Sequence, residues 1–115
     1  MVTYIGRMID FKKIEGFEWD KGNREKNKVK HNVTHHECEQ IFYNKPLMIF
    51  ADESHSGKEI RFGAFGKTDN KRKLTVFFTL RNNILRVISA RDQSKKDREI
   101  YTKLDKVNTG GKIYE

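Results

Sequence analysis

The chain has 115 residues, a single cysteine and a formal net charge of +8, from 24 basic and 16 acidic side chains. That length supports one modest hydrophobic core; the lone Cys38 excludes an intramolecular disulfide framework, and no run of about 18 apolar residues is present to cross a membrane. Acidic residues are too numerous for a low-complexity basic tail. The positive excess therefore points to a polyanion or an acidic protein as partner, or it serves solubility alone.

The opening stretch, MVTYIGRMIDFKK, lacks the basic-then-apolar order of a signal peptide. With a free cysteine this fits a cytoplasmic protein, and Met8 offers an alternative start. Lys12 to Trp19 loosely alternate charged and apolar residues and predict a first strand, with Phe17 and Trp19 as core packing. Asp20 is placed to N-cap a helix over KGNREKNKVKH, residues 21–31, whose only apolar residue is Val29. So polar a helix belongs on the surface or at an interface. Thr34 and Glu37 form a capping box for the next helix, with Val33 and Cys38 placed as its hydrophobic staple. That helix should end near Tyr43 and Asn44, before Pro46.

From Leu47 the period becomes that of strands. Residues 47–51 form a short apolar run, DESHSGK is turn chemistry, and residues 59–66 alternate. In 74–81, Leu74, Val76, Phe78 and Leu80 face one way, and Thr75, Phe77, Thr79 and Arg81 the other. Asn82 and Asn83 suit a tight hairpin. In the last strand, strict alternation sets Leu85, Val87 and Ser89 opposite Arg86, Ile88 and Ala90. Ser94 with Asp97 can cap a final helix, along which Ile100, Tyr101, Leu104 and Val107 recur at helical spacing; residues 108–115 should fray. With no linker and no internal repeat, residues 1–115 read as a single domain. The order of elements is an N-terminal strand, two helices, a three- to four-stranded meander and a C-terminal helix. It predicts α+β, with a small antiparallel sheet and helices mostly on one face.

The glycines match neither a phosphate-binding loop nor a dinucleotide fingerprint. His35 and His36 are adjacent, and His31 is separated from them by Val33–Thr34, so no metal and no cofactor is expected. Cys38, on the apolar side of its helix, reads as a small buried hydrophobe. The positive signal is a set of polar and basic residues on the less apolar strand faces: Glu59, Arg61, Thr79, Arg81 and Arg86, with Arg91 where the chain leaves the sheet. If they converge, they form a basic concavity suited to phosphodiester chemistry, in which guanidinium groups hold phosphate and stabilise charge developing on it. RNA would bring its own nucleophile, the 2′-hydroxyl. The other reading is a solvated sheet face laced by cross-strand ion pairs.

Several short motifs occur in an order that identifies a family. They are FEWD at 17–20, N..KH.V from Asn27 to Val33, the acidic-then-HS turn at Asp52 to Ser56, Glu59 with Arg61, Thr79 with Arg81, and RVISAR at 86–91 followed by Arg98 and Tyr101. Together they resemble the BrnT family of bacterial toxins, small ribonucleases of type II toxin–antitoxin systems with a RelE-like fold. The match covers about residues 16–103, leaving 1–15 as an N-terminal extension and the last dozen residues outside.

The resemblance implies a metal-independent endoribonuclease toxin that cuts RNA and slows translation. Its partner would be a BrnA-type antitoxin with a DNA-binding domain, and dependence on the ribosome stays open. On this reading Arg86 and Arg91 are the first choices for holding phosphate and stabilising the transition state, with Arg61 and Arg81 second. Lys30 is a candidate general acid, Glu59 a candidate general base, and His31 suits either acid–base work or the helix dipole. Arg98 and Tyr101 lie early enough in the last helix to reach the same edge. One departure stands out: family members usually carry lysine three residues after the FEWD aspartate, where this chain has Asn23. Asn23, Asn27, Lys30 and His31 form one helical stripe, read here as a face presented to RNA or antitoxin. Two other classes remain: a non-catalytic nucleic-acid-binding regulator using the same basic face, and a subunit that binds only its protein partner.

Overall fold

Two capping boxes start the first two helices. In the computed structural model, which describes residues 3–5 and 14–109, helix α1 spans Lys21–His31 and α2 spans His35–Gln40. Asp20 accepts from the Asn23 amide at 2.9 Å, while Asn23 Oδ1 accepts from the Asp20 amide at 2.8 Å. Thr34 and Glu37 do the same for α2, at 3.1 and 3.0 Å. Such reciprocal bonds satisfy amides that the first turn leaves without partners. Asn32, in the left-handed region with φ 53°, ends α1. The second helix stops earlier than its apolar pattern predicts, and Ile41–Tyr43 form a turn.

The strands are β1 (Thr3–Ile5), β2 (Gly16–Glu18), β3 (Met48–Ala51), β4 (Phe62–Lys67), β5 (Lys73–Arg81) and β6 (Ile84–Asp92). They form one six-stranded sheet in the order β1-β3-β4-β5-β6-β2. The meander β3–β6 is antiparallel throughout, and its last hairpin turns on Asn82 and Asn83, with φ of 52° and 67°. Both asparagines take the positive φ that a two-residue hairpin demands. The fold is α+β as expected, but the sheet is mixed rather than antiparallel. Short edge strands β1 and β2 pair parallel with β3 and β6, because long stretches of chain, helices included, separate each from its neighbour. One of them, β1, lies in the segment read as an extension.

The face of the sheet toward α2 carries the core. Ile49, Phe62, Ala64, Leu74, Val76, Phe78, Leu85, Val87 and Ala90 pack with Val33, Cys38 and Ile41. Gly66 lies so close under Ile41 that an added Cβ would come within 2.7 Å of the Ile41 Cβ. Helix α3 (Lys95–Thr109) packs on the outer face of the sheet, opposite α2. Thr75, which points away from the core between Leu74 and Val76, donates to Asp97 of α3 at 2.9 Å. Lys67, on the same outer face, pairs with Asp105. Tyr101 is fully buried and donates to the Pro46 carbonyl at 2.7 Å, so it is packing rather than part of an open site.

The first helix also departs from its reading. Asn23 and Asn27 are 7% and 2% exposed, so these two members of the stripe point inward, while Lys30 is exposed and His31 half-buried. Asn23 Nδ2 donates to the carbonyls of Glu18 and Val87, both at 3.1 Å, and Asn27 Oδ1 accepts from the Ala90 amide at 3.0 Å. Beyond Glu18, where β2 stops, these two amides occupy backbone groups of β6 that would otherwise lack partners. A helix without an apolar stripe is thereby docked through hydrogen bonds.

Candidate functional site

The outer face of β4, β5 and β6 is where the arginines gather. Across β5 and β6, Thr79 pairs with Arg86, Phe77 with Ser89 and Thr75 with Arg91. The register shifts between Phe77 and Phe78, leaving Ile88 as the extra residue of a β-bulge. That bulge overturns strict alternation along β6. Ala90 turns into the core opposite Val76, and Ser89 and Arg91 come to the face of Arg86. Without it, residues 86 and 91 would point to opposite sides of the sheet. The Asn27 side chain accepts from the Ala90 amide two residues past Ile88, so a buried side chain of α1 braces the strand just after the bulge that aims Arg91.

Phe77 is the floor of the groove. The Arg61 guanidinium carbon lies 4.7 Å from the ring centroid and that of Arg91 lies 5.9 Å from the same ring. Cation–π contact favours both placements. The Phe50 ring packs against Phe77, and Gly63 leaves the space that ring needs over β4. Each arginine is steadied by one carboxylate from outside the strands. Arg91 Nη1 donates to Asp97 Oδ2 at 3.0 Å and to the Asp92 carbonyl at 3.1 Å. Arg61 Nε stands 3.1 Å from Asp52 Oδ2, off the line of a hydrogen bond. Burial opposes the charge on Asp97, but hydrogen bonds from Thr75 and Arg91 outweigh it and hold the carboxyl below the usual carboxylate range. Burial opposes the charge on Asp52 as well; there hydrogen bonds from His55 and Ser54, with the nearby charges, win. Both carboxylates stay ionised, and two arginines sit side by side without mutual repulsion dominating.

Around this pair stand other residues singled out in the sequence. Thr79 shares the face, with its hydroxyl buried and unpartnered. Arg86 lies between two carboxylates, donating to Glu18 at 2.9 Å and to Asp20 at 2.8 Å. Glu59 pairs with Arg81 rather than Arg61, through two hydrogen bonds of 2.8 Å. The Arg81 bond holds the Glu59 carboxyl below its ordinary value, which makes it a weak base.

Lys30 and His31 are not brought to the groove. They end α1 on the other side of the sheet, where the His31 carbonyl accepts from Arg72. Arg98 is turned back at the start of α3, its Nη1 donating to the Gln93 carbonyl at 2.6 Å. Asn23, with its amide committed to two carbonyls, takes no part in an exposed site. Burial pushes the Cys38 thiol up to about 12, so it stays an inert core residue.

Sequence reasoning missed Asp52, His55, Phe77 and Asp97 as parts of one site. Phe77 carried a signal, an aromatic alternating with Thr75, Thr79 and Arg81 on a polar face. Asp52 and His55 carried one too, an acid and an imidazole spaced by one short turn. The outer face thus brings two guanidinium groups together on one aromatic ring, a pairing with the chemistry to hold a phosphate. No curated protein matches the chain. The model of the family described as the ribonuclease toxin, BrnT, of type II toxin–antitoxin systems matches residues 19–97. That span runs from Trp19 through the whole meander to Asp97, most of the chain and nearly every groove residue, and the protein belongs to the BrnT family of type II toxin–antitoxin ribonuclease toxins.

Proposed function

We propose that this toxin is a metal-independent endoribonuclease of RelE-like type whose active site is the outer-face groove. The supporting observation is the placement of Arg61 and Arg91 over one aromatic ring, each steadied by a single carboxylate. Arg91 and Arg61 hold the scissile phosphate from either side of Phe77. Arg86, once substrate displaces Glu18 or Asp20, adds positive charge as the pentacoordinate transition state forms. The 2′-hydroxyl of the RNA is the nucleophile, so the protein supplies position and charge. Cutting messenger RNA stops translation. A BrnA-type antitoxin with a DNA-binding domain neutralises the toxin by setting acidic side chains against the same arginines.

The test is cleavage of free and ribosome-bound RNA by antitoxin-free protein in the presence of EDTA. Wild type is expected to give discrete fragments. Arg61→Ala and Arg91→Ala should lose about 100-fold or more in rate, while Arg81→Ala, at an exposed pair, should stay within about threefold. Phosphate-dependent RNA binding with no product would instead identify a non-catalytic binder.

A further inference from the structure

The loop between β3 and β4 is built around one carboxylate. Its neck is closed by backbone and hydroxyl bonds: the Asp52 amide donates to the Arg61 carbonyl at 2.7 Å, Ser56 Oγ donates to the Asp52 carbonyl at 2.8 Å, and the Arg61 amide donates to Ser56 Oγ at 2.9 Å. A 3-10 turn over Glu53–His55 then folds His55 back onto Asp52, the residue that precedes the turn. His55 Nδ1 comes within 3.0 Å of Asp52 Oδ1, and Ser54 Oγ donates to the same oxygen at 3.1 Å. The other oxygen of Asp52 faces Arg61 at 3.1 Å. One carboxylate, 12% exposed, therefore joins an imidazole to the arginine that lies on Phe77.

From this geometry we infer that His55, oriented by Asp52, is the proton-transfer residue of the groove. The inference rests on the ribonuclease reading above and adds the group that reading lacks, since Glu59 is tied to Arg81 and His31 lies on the other side of the sheet. With Nδ1 donating to the carboxylate, Nε2 is the basic nitrogen, and the ring is 65% exposed, open to a substrate. The arrangement is a base held in one tautomer by an acid, as nucleophile activation generally requires.

In the step assigned to it, His55 Nε2 takes the proton of the 2′-hydroxyl. The 2′-oxygen bonds to phosphorus as the bond from phosphorus to the 5′-oxygen breaks. The imidazolium returns its proton, through water, to the departing 5′-oxygen. A 2′,3′-cyclic phosphate and a 5′-hydroxyl result, with the imidazole restored.

The experiment compares wild type, His55→Asn and His55→Gly in RNA cleavage, with RNA affinity measured on each full-length protein. His55→Asn retains a donor for Asp52 and is expected to lower kcat about 100-fold while RNA Kd stays within twofold. His55→Gly is expected to fall similarly and to be accelerated by added imidazole, a response that a purely structural residue would not give. Wild-type kcat in His55→Asn beside an active wild type would overturn the assignment alone. Absence of cleavage by wild type would overturn the ribonuclease reading, and this assignment with it.

Discussion

Arg72 and Arg91 stand on opposite faces of the same sheet, and the contrast between them separates structure from function. Arg72 is saturated. Its guanidinium grips Asp92 with two bonds of 2.7 and 3.1 Å, reaches Glu37 at 3.1 Å, and donates to the carbonyls of Asn32 and His31. Through these contacts the start of β5 is tied to α1, α2 and β6. Arg91 uses one nitrogen, Nη1, and rests near an aromatic ring. A guanidinium carries five donors in a fixed fork. Where the protein itself occupies them all along, the arginine is a fastener; where most stay unassigned beside a ring, as on Arg91, donors are left over for the anion that the proposed reaction requires.

The sharpest way to break this contrast is to truncate both. Arg72→Ala leaves Asp92 and Glu37 without their cation and two carbonyls without donors, and is expected to cost about 2–3 kcal/mol of unfolding free energy. The activity of the molecules still folded should be unchanged. Arg91→Ala is expected to do the reverse, losing about 100-fold in cleavage while its unfolding free energy changes by less than about 1 kcal/mol. Urea titration beside cleavage rates reads both, and equal losses of stability and rate in both variants would erase the distinction.

A subtler link between the two faces runs through Asn27. Asn27→Ala removes the acceptor for the Ala90 amide beside the bulge. We expect a loss of about 1–2 kcal/mol for an unsatisfied buried donor, with a roughly tenfold fall in cleavage as Arg91 loses its aim. Stability lost with full activity kept would show that the bulge holds itself.

The smallest effect is on the acid side. Asp97 in the groove and Asp92 at the Arg72 cluster both have carboxyl groups held below their ordinary value. On Asp97, hydrogen bonds from Thr75 and Arg91 overcome the opposing effect of burial; on Asp92, the Arg72 hydrogen bond leads. A carboxylate with a lowered folded-state pKa contributes stability that is present above its unfolded value, and that contribution is lost as pH falls through the folded one. Stability is therefore expected to decline from about pH 4 downward. Asp97→Asn should flatten part of that decline, whereas Arg81→Ala, which frees an exposed Glu59, should change it least. Thermal melts across pH 2–6 read both slopes.

Much of the architecture was legible because it is local. The Asp20 N-cap, Thr34 with Glu37, and the Asn82–Asn83 turn each act within four residues, where side-chain chemistry and backbone geometry are one decision. Burial of Val33, Cys38, Leu74, Val76 and Phe78 likewise follows from period and apolarity. The candidate site was legible only in composition. That Arg61, Thr79, Arg86 and Arg91 belong to one face was anticipated as one of two readings, and Glu59 pairing with Arg81 belongs to the other.

Which arginine meets which acid, which face Arg91 takes and what α1 turns inward were decided by tertiary structure. One inserted residue, Ile88, reverses every side chain after it, and strand alternation carries no mark of where such a bulge falls. The bulge's partner, Asn27, lies 63 residues away from Ala90. The polar stripe of α1 has two possible destinations, solvent or the open edge of β6. The chain alone determines that the stripe is polar; only the assembled sheet, with backbone groups of Val87 and Ala90 needing partners beyond the end of β2, determines that Asn23 and Asn27 are buried.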